Sequence, residues 1–501
     1  FVLGNQMGLP KVHLVKDDGH YLDGMDFLSE RFVKDEEVAV DVIKDLAHRG
    51  LLFKKEKYEH SYPHCWRCKT PLIYYARDSW YIAMSKLRAE LLSENEGITW
   101  EPAHIKEGRF GEWLKEIKDW AISRERYWGT PLPIWKNEEG KIKVIGSVDD
   151  LKKFSKKSGN KYYIIRHGEG EHNVANIISS KKDDNFHLTE KGKEQVRVSA
   201  EFLKEKGITK IISSPFIRTT ETAEIIREIL GLDNSKLIFD ERLSEHDLGS
   251  LNGKPISEYH EIAKTNEDIY EMKVGGGESL EDMKVRTGEF LYDVDKNNSN
   301  ENILIVTHEH TTWALESAGK GLNKKETASL RKEHQEFIKN AEIHNLDFVQ
   351  MPHNEMYELD LHRPYIDDVE VVDENGDKLT RVPEVFDTWY DSGSMSFASQ
   401  HYPFENKEEF EKNGSLIFPA DFIAEGLDQT RGWFYTLLVM SAGLFDRSPY
   451  KHVLVNGLVL AEDGKKMSKK LKNYPDLMDV VNKYGADSMR YYLLSSPLVK
   501  A

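Results

Sequence analysis

Two kinds of chemistry can be read from side chains that this 501-residue sequence places at telling intervals. One is a set of histidines, arginines and a carboxylate. Arg166-His167-Gly168-Glu169 follows directly on the apolar run Tyr162-Tyr163-Ile164-Ile165. Arg218 lies in Ser213-Ser214-Pro215-Phe216-Ile217-Arg218-Thr219-Thr220-Glu221-Thr222-Ala223, Glu245 in Leu243-Ser244-Glu245-His246-Asp247-Leu248-Gly249, and His308 closes Val306-Thr307-His308. Imidazoles serve as nucleophiles and proton carriers, and guanidiniums hold phosphoryl oxygens through fixed donors. A lone histidine at a strand end is usually structural, so the weight falls on the four pieces together. The other is the basic loop Glu462-Asp463-Gly464-Lys465-Lys466-Met467-Ser468-Lys469-Lys470, which follows an apolar strand, Val453-Leu454-Val455. Glycine frees the backbone there, and lysines on a loop supply point charges for polyphosphate.

The elements that must position these residues follow from patterning. The runs at 162–165, 210–212 and 302–306 read as strands, each feeding a polar cluster, and the second is followed by a long amphipathic helix through Leu230. Strands alternating with helices indicate a mainly parallel sheet, and ligands sit beyond the carboxyl ends of such strands. All three polar clusters fall at those ends and are expected to converge on one pocket. Elsewhere, a periodic helix is expected near residues 36–52, ending at Gly50. A strand is expected at Leu72-Ile73-Tyr74-Tyr75, and a helix in the second half of 418–444. The lysine-rich stretch 152–159 reads as a solvated linker.

The His-Arg-Glu-His set over residues 160–350 resembles the histidine phosphatase superfamily, the phosphoglycerate mutase-like fold. Gly275-Gly276-Gly277-Glu278-Ser279 and Asp282 are similar to a loop of that family. The resemblance implies that His167 attacks phosphorus and carries a phosphohistidine. It implies that Arg166, Arg218 and His308 surround the phosphoryl oxygens, that Glu245 protonates the leaving oxygen, and that Asn173 adds a donor. No metal or other cofactor is implied, and the phosphorylated substrate is left unknown. One departure is visible: the second histidine is followed by Glu309 where the family has glycine. That carboxylate either repels substrate or points outward. The insert is then an active phosphohydrolase or, alternatively, a silent phosphate-binding or spacer module.

Outside that stretch the chain resembles class I aminoacyl-tRNA synthetases, in particular isoleucine enzymes of the archaeal and eukaryotic type. Lys466-Met467-Ser468-Lys469-Lys470 is similar to their KMSKS element. The segments 61–68, 120–131, 360–367, 387–394 and 419–434 match them in order. The resemblance implies that Glu425, Gly426, Asp428, Gln429 and Trp433 contact the isoleucyl-adenylate and that Lys466 and Lys469 meet the ATP phosphates. The partners implied are isoleucine, Mg-ATP and tRNA(Ile), and the state implied is a monomer. The family's HIGH element, its threonine-rich editing motif and its anticodon-binding domain are not found in the sequence. The chain is therefore expected to be an interior piece that does not charge tRNA alone, and its uncovered sheet is expected to expose an apolar edge.

The expected fold class is α/β: part of a class I synthetase Rossmann-type catalytic domain with an inserted phosphoglycerate mutase-like α/β domain. The expected divisions are 1–70, a C-terminal remnant of the editing domain; 71–158, catalytic domain and start of a connective peptide; 159–350, the insert; and 351–501, the second catalytic half. Hydrophobic residues at 39% and charged residues at 31% suit buried cores. A net charge of −17 argues against indiscriminate nucleic-acid binding. No run approaches the ~20 apolar residues of a membrane helix, so no membrane partner is expected and the chain reads as cytoplasmic. The two cysteines, Cys65 and Cys68, exclude a disulfide framework. With His60 and His64 they can complete a zinc set, but a plain loop is the favoured reading, and no metal is expected.

Overall fold

The computed structural model describes residues 2–10, 12–65, 68–333, 335–457, 460–462, 464, 467 and 472–496. It contains two compact units, Phe1–Trp80 and Tyr81–Ala501. In the first, the helix Glu36–His48 is followed by Arg49 and by Gly50 at φ +68°, the left-handed position that ends a helix without steric cost. The expected strand at 72–75 does not form. Among the described residues no bridge falls within the segment, the nearby one joining His64 to Pro71, and Tyr74 is 92% exposed, without the apolar cover that aromatic residues need in a sheet. His60 and His64 turn their Nδ1 atoms to the carbonyls of Ser61 and Tyr62.

Within the second unit the insert is a five-stranded sheet in the order Ile343–Leu346, Lys161–Arg166, Asn302–Thr307, Lys210–Ser213, Leu237–Phe239. All neighbours are parallel except the first pair. Both faces are covered, and alternation along the central strand shows it. Ile303 and Ile305 pack with Phe290, Leu291 and Leu315, while Leu304 and Val306 pack with Val196, Ala200, Ala223 and Ile226. At the neck, Asp295 gathers both ends of the insert. It accepts from Ser158 Oγ at 2.5 Å and Tyr162 Oη at 2.8 Å on the way in, and from Gln350 Nε2 at 3.0 Å on the way out. Closely spaced ends are what allow a folded guest to sit inside a host chain.

The host elements reassemble across the insert. An antiparallel sheet runs Val371–Val372, Lys378–Arg381, Ile134–Lys136, Ile142–Val144, so its middle pair joins residues from either side of the guest. The stretch 152–159 is a linker only in part. Residues 152–154 close the helix Val148–Phe154, and Ser155 is buried, with Oγ donating to Leu151 O. Leu151 and Phe154 pack with Trp135 and Val371, and that apolar contact outweighs the lysines between them. A second parallel sheet orders Ala420–Gly426, Tyr450–Asn456, Thr99–Glu101. Val453 and Val455 face the buried helix Trp433–Phe445, whereas Phe422 (70%) and Leu454 (45%) are exposed on the other face. No helix among the described residues is long and apolar enough to cross a membrane.

Candidate active site

The three polar clusters of the insert meet at the carboxyl ends of its parallel strands, around a cleft of about 730 Å³. His167 follows the strand Lys161–Arg166 directly, and its amide donates to Thr307 O at 3.0 Å. The loop carrying it lies against the helix Glu190–Lys204 so closely that a Cβ on Gly192 would stand 2.1 Å from Glu169 O. One on Gly168 would stand 2.5 Å from Gly192 O. Two glycines are therefore what lets this helix pin the histidine's backbone.

The His167 ring is buried, and its Nδ1 lies 2.7 Å from Gly168 O. A carbonyl only accepts, so Nδ1 carries the proton and Nε2 keeps its lone pair. Arg218 Nε donates to that Nε2 at 3.2 Å. Burial, and then the charge of Arg218, hold the ring well below its ordinary titration range, so it is neutral at physiological pH.

Arg218, near the start of the helix Ile217–Leu230, is the hub of the site. Besides His167 it donates to Ser179 Oγ at 2.9 Å, Ser179 O at 3.0 Å and His308 Nδ1 at 3.2 Å. Burial pushes it down to about 10, still a cation at neutral pH. Because His308 accepts at Nδ1, its Nε2 donates to Ser214 Oγ, 2.8 Å away. Glu245 Oε2 lies 3.7 Å from His308 Nδ1, and Oε1 accepts from the His246 amide at 2.9 Å. Burial raises the Glu245 carboxyl, the direction a proton donor requires.

Arg166 is held differently. Its Nη1 donates to Glu336 Oε1 at 2.8 Å and Ile338 O at 2.8 Å, with Glu309 Oε2 at 3.5 Å. Glu309 therefore neither points outward nor stands free. Its other oxygen lies 3.3 Å from Arg331 Nη2 and accepts from the Phe337 amide at 3.2 Å. Asn173 lines the cleft, but its Oδ1 is engaged by the Gly170 amide at 2.9 Å. Three buried polar atoms on residues of the cleft wall have no hydrogen-bond partner among the described residues: Arg166 Nε, His172 Nδ1 and Tyr259 Oη. Buried polar atoms left unpaired are costly, and three at one cleft mark where a ligand supplies the missing partners.

Sequence reasoning missed His172, Ser179 and Ser214 as members of the site. Ser179 holds Arg218 through its hydroxyl and its carbonyl from a loop with no periodicity and no motif, so only the fold reveals it. His172 was visible five residues beyond His167, but nothing in the spacing told it from a surface histidine.

The second group of expected site residues also comes together. Glu425 and Gly426 end the strand Ala420–Gly426, Asp428 and Gln429 lie in the following 3-10 turn Leu427–Arg431, and Trp433 opens the next helix. Gln429 organises them, with Oε1 accepting from the Trp433 amide at 2.9 Å and Nε2 donating to Asp428 Oδ2 at 3.1 Å. Trp433 Nε1 reaches Ser392 O at 3.0 Å. The carboxylates of Glu425 and Asp428 face solvent. Lys466 and Lys469 lie outside the described residues. Among the described residues no three His, Cys, Asp or Glu side chains gather to hold a metal.

Residues 21–187 and 325–501 match the family described as tRNA synthetases class I (I, L, M and V). Residues 162–350 match the histidine phosphatase superfamily (branch 1). The isoleucine–tRNA ligase of Protochlamydia amoebophila (strain UWE25) is 31% identical over 501 residues, 100% of this chain and 28% of that protein. The probable cytoplasmic isoleucine–tRNA ligase of Dictyostelium discoideum is 31% identical over 499 residues, 99% of this chain and 28% of that protein. The chain thus spans little more than a quarter of the length of these relatives. Among solved structures, a mycobacterial glucosyl-3-phosphoglycerate phosphatase in complex with VO3 is 23% identical, covering 37% of this chain and 91% of that one, with a TM-score of 0.33. A phosphoserine phosphatase from Entamoeba histolytica is 21% identical, covering 37% and 89%, with a TM-score of 0.32.

Proposed function

The chain belongs to the class I tRNA synthetases (I, L, M and V) and carries a histidine phosphatase domain within it, and from that premise we propose two activities. The synthetase residues serve isoleucine–tRNA ligation in the cytoplasm: isoleucine is activated with Mg-ATP and passed to tRNA(Ile). Glu425, Gly426, Asp428, Gln429 and Trp433 hold the adenylate, while Lys466 and Lys469 neutralise the ATP phosphates. The support is the similarity to isoleucine–tRNA ligases along the whole chain, together with the Asp428–Gln429–Trp433 cluster. Isoleucine-dependent ATP–pyrophosphate exchange by the full-length protein tests this half, and exchange driven by valine or leucine instead would redirect it.

The insert is a phosphohydrolase working through a phosphohistidine. The observation that carries this reading is the His167 ring, fixed as the Nδ1–H tautomer with its unprotonated Nε2 accepting from Arg218 Nε. Nε2 gives its lone pair to phosphorus, the bond from phosphorus to the leaving oxygen breaks, and Glu245 passes its proton to that oxygen. Water then attacks phosphorus, the N–P bond breaks back onto Nε2, and Glu245 recovers a proton from the water. Arg218 faces the phosphoryl oxygens throughout, with Arg166 Nε an additional donor, and His308 joins them when its proton sits on Nδ1 and Ser214 Oγ donates to Nε2. Hydrolysis of an aryl phosphate without added metal, lost in His167→Ala, is the expected result. Equal rates in the two proteins would remove the reading.

The engagement of Arg166 by Glu309 and Glu336 favours a second reading, a silent module that merely binds phosphate. Phosphate binding that survives in the wild type with no turnover of any ester would select it.

A further inference from the structure

Apart from Arg218, the guanidiniums on the cleft wall are Arg166 and Arg331, and both are matched by carboxylates. Glu336 Oε1 lies 2.8 Å from Arg166 Nη1, and Glu309 bridges the two, 3.5 Å from Arg166 Nη1 and 3.3 Å from Arg331 Nη2. Arg331 is further fixed by Nε donating to Gln335 O at 2.8 Å and by its guanidinium lying 5.3 Å from the Trp313 ring centroid. The Phe337 amide holds the Glu309 carboxylate in place. Arg218, by contrast, hydrogen-bonds only to neutral groups among the described residues, Ser179, His167 and His308, while the carboxylates of Glu245 and Asp184 act on it through space. The cleft is therefore divided. Its floor presents one cation with no carboxylate in hydrogen-bonding contact, and its wall presents two cations paired directly with two anions.

We propose that this cleft selects phosphomonoesters whose leaving alcohol carries no second anionic group, and that Glu309 and Glu336 set the preference. The inference rests on the phosphohydrolase reading. A carboxylate on the leaving group finds the wall guanidiniums already paired, apart from the Arg166 Nε–H assigned to the phosphoryl group, and lies beside two glutamates, and like charges juxtaposed in a partly desolvated site disfavour the complex. A hydroxyl or amine in the same position meets acceptors instead.

Two probes isolate the effect, because glycerol 3-phosphate and 3-phosphoglycerate differ only in a hydroxymethyl against a carboxylate. The expected result is a kcat/KM preference of about tenfold or more for glycerol 3-phosphate in the wild-type chain. Glu309→Gln keeps the acceptor for the Phe337 amide and should narrow that ratio severalfold. Glu336→Gln, on a side chain 55% exposed, should do so independently of any folding defect at Glu309. A wild-type preference for 3-phosphoglycerate, or a ratio unmoved in both variants, overturns the proposal. Where no ester is hydrolysed, the hydrolase reading fails separately, and calorimetric binding of the two probes decides. Tighter glycerol 3-phosphate sustains the selectivity; equal, reversed or absent binding ends it.

Discussion

Arg218→Lys is expected to lower kcat/KM for an aryl phosphate by about a thousandfold, some 4 kcal/mol of transition-state stabilisation. The charge survives this substitution, so the loss measures geometry. Arg218 spends four donor contacts on Ser179, His167 and His308 from one planar fork. A lysine ammonium is a single point and cannot hold that arrangement while facing phosphoryl oxygens. Arg218→Met adds a second signature. After burial, Arg218 is the leading influence holding both His167 and His308 below the ordinary range, so its neutral replacement should raise both. The acid limb of the pH–rate profile then moves to higher pH, and imidazole nitrogen shifts report the same change. A guanidinium that merely filled space would leave the acid limb where it was. On the alkaline side, activity should fall as pH rises through the raised Glu245 carboxyl, because the proton donor is lost.

Acidification from pH 7 to pH 5 is expected to unfold the insert cooperatively. His167, His172, His246 and His308 are buried, and burial is the first cause lowering each of them, His172 to about 2. Their folded forms resist protonation while the unfolded chain takes up protons near pH 6.5, so stability is full above that pH and declines as pH falls below it. A histidine that stays neutral in the folded state removes about 1.4 kcal/mol per pH unit, so His167, His172 and His308 together remove up to roughly 4 kcal/mol per unit, and His246 acts in the same direction. That compares with a net domain stability of about 5–15 kcal/mol. His344 works in the opposite sense. Glu316, 2.6 Å away, raises it, so its contribution is present at acid pH and lost as pH rises, and His187, raised by Glu221, acts in the same sense. Hydrogen exchange of the Asn302–Thr307 amides reads the transition. Protection that persists unchanged at pH 5 would contradict it.

The parts of the insert that were legible in the sequence were those where local pattern and tertiary role coincide. The runs at 162–165, 210–212 and 302–306 are apolar after Lys210 and Asn302 at the starts of the last two because the sheet is covered on both faces, and each ends in the polar residues that meet at the cleft. Glu309 was noticed as a departure, but its pairing was not, since Arg331 lies on a loop whose position depends on the closing strand Ile343–Leu346. The antiparallel sheet of the host was illegible for a different reason. Its strands are two to four residues long, and Thr380 and Arg381 pair with Lys136 and Trp135 across the whole insert, beyond any local window. Leu72-Ile73-Tyr74-Tyr75 erred the other way. Aromatic and branched residues favour strands only where a neighbour and a core receive them.

The most direct measurement is a rapid quench of aryl phosphate turnover into alkali, followed by mass analysis of the peptide carrying His167. The account predicts a phosphoryl adduct on His167 that forms faster than steady-state turnover, is lost on brief exposure to acid and is absent from His167→Ala. Hydrolysis that proceeds with no adduct at His167, and persists in His167→Ala, would contradict it.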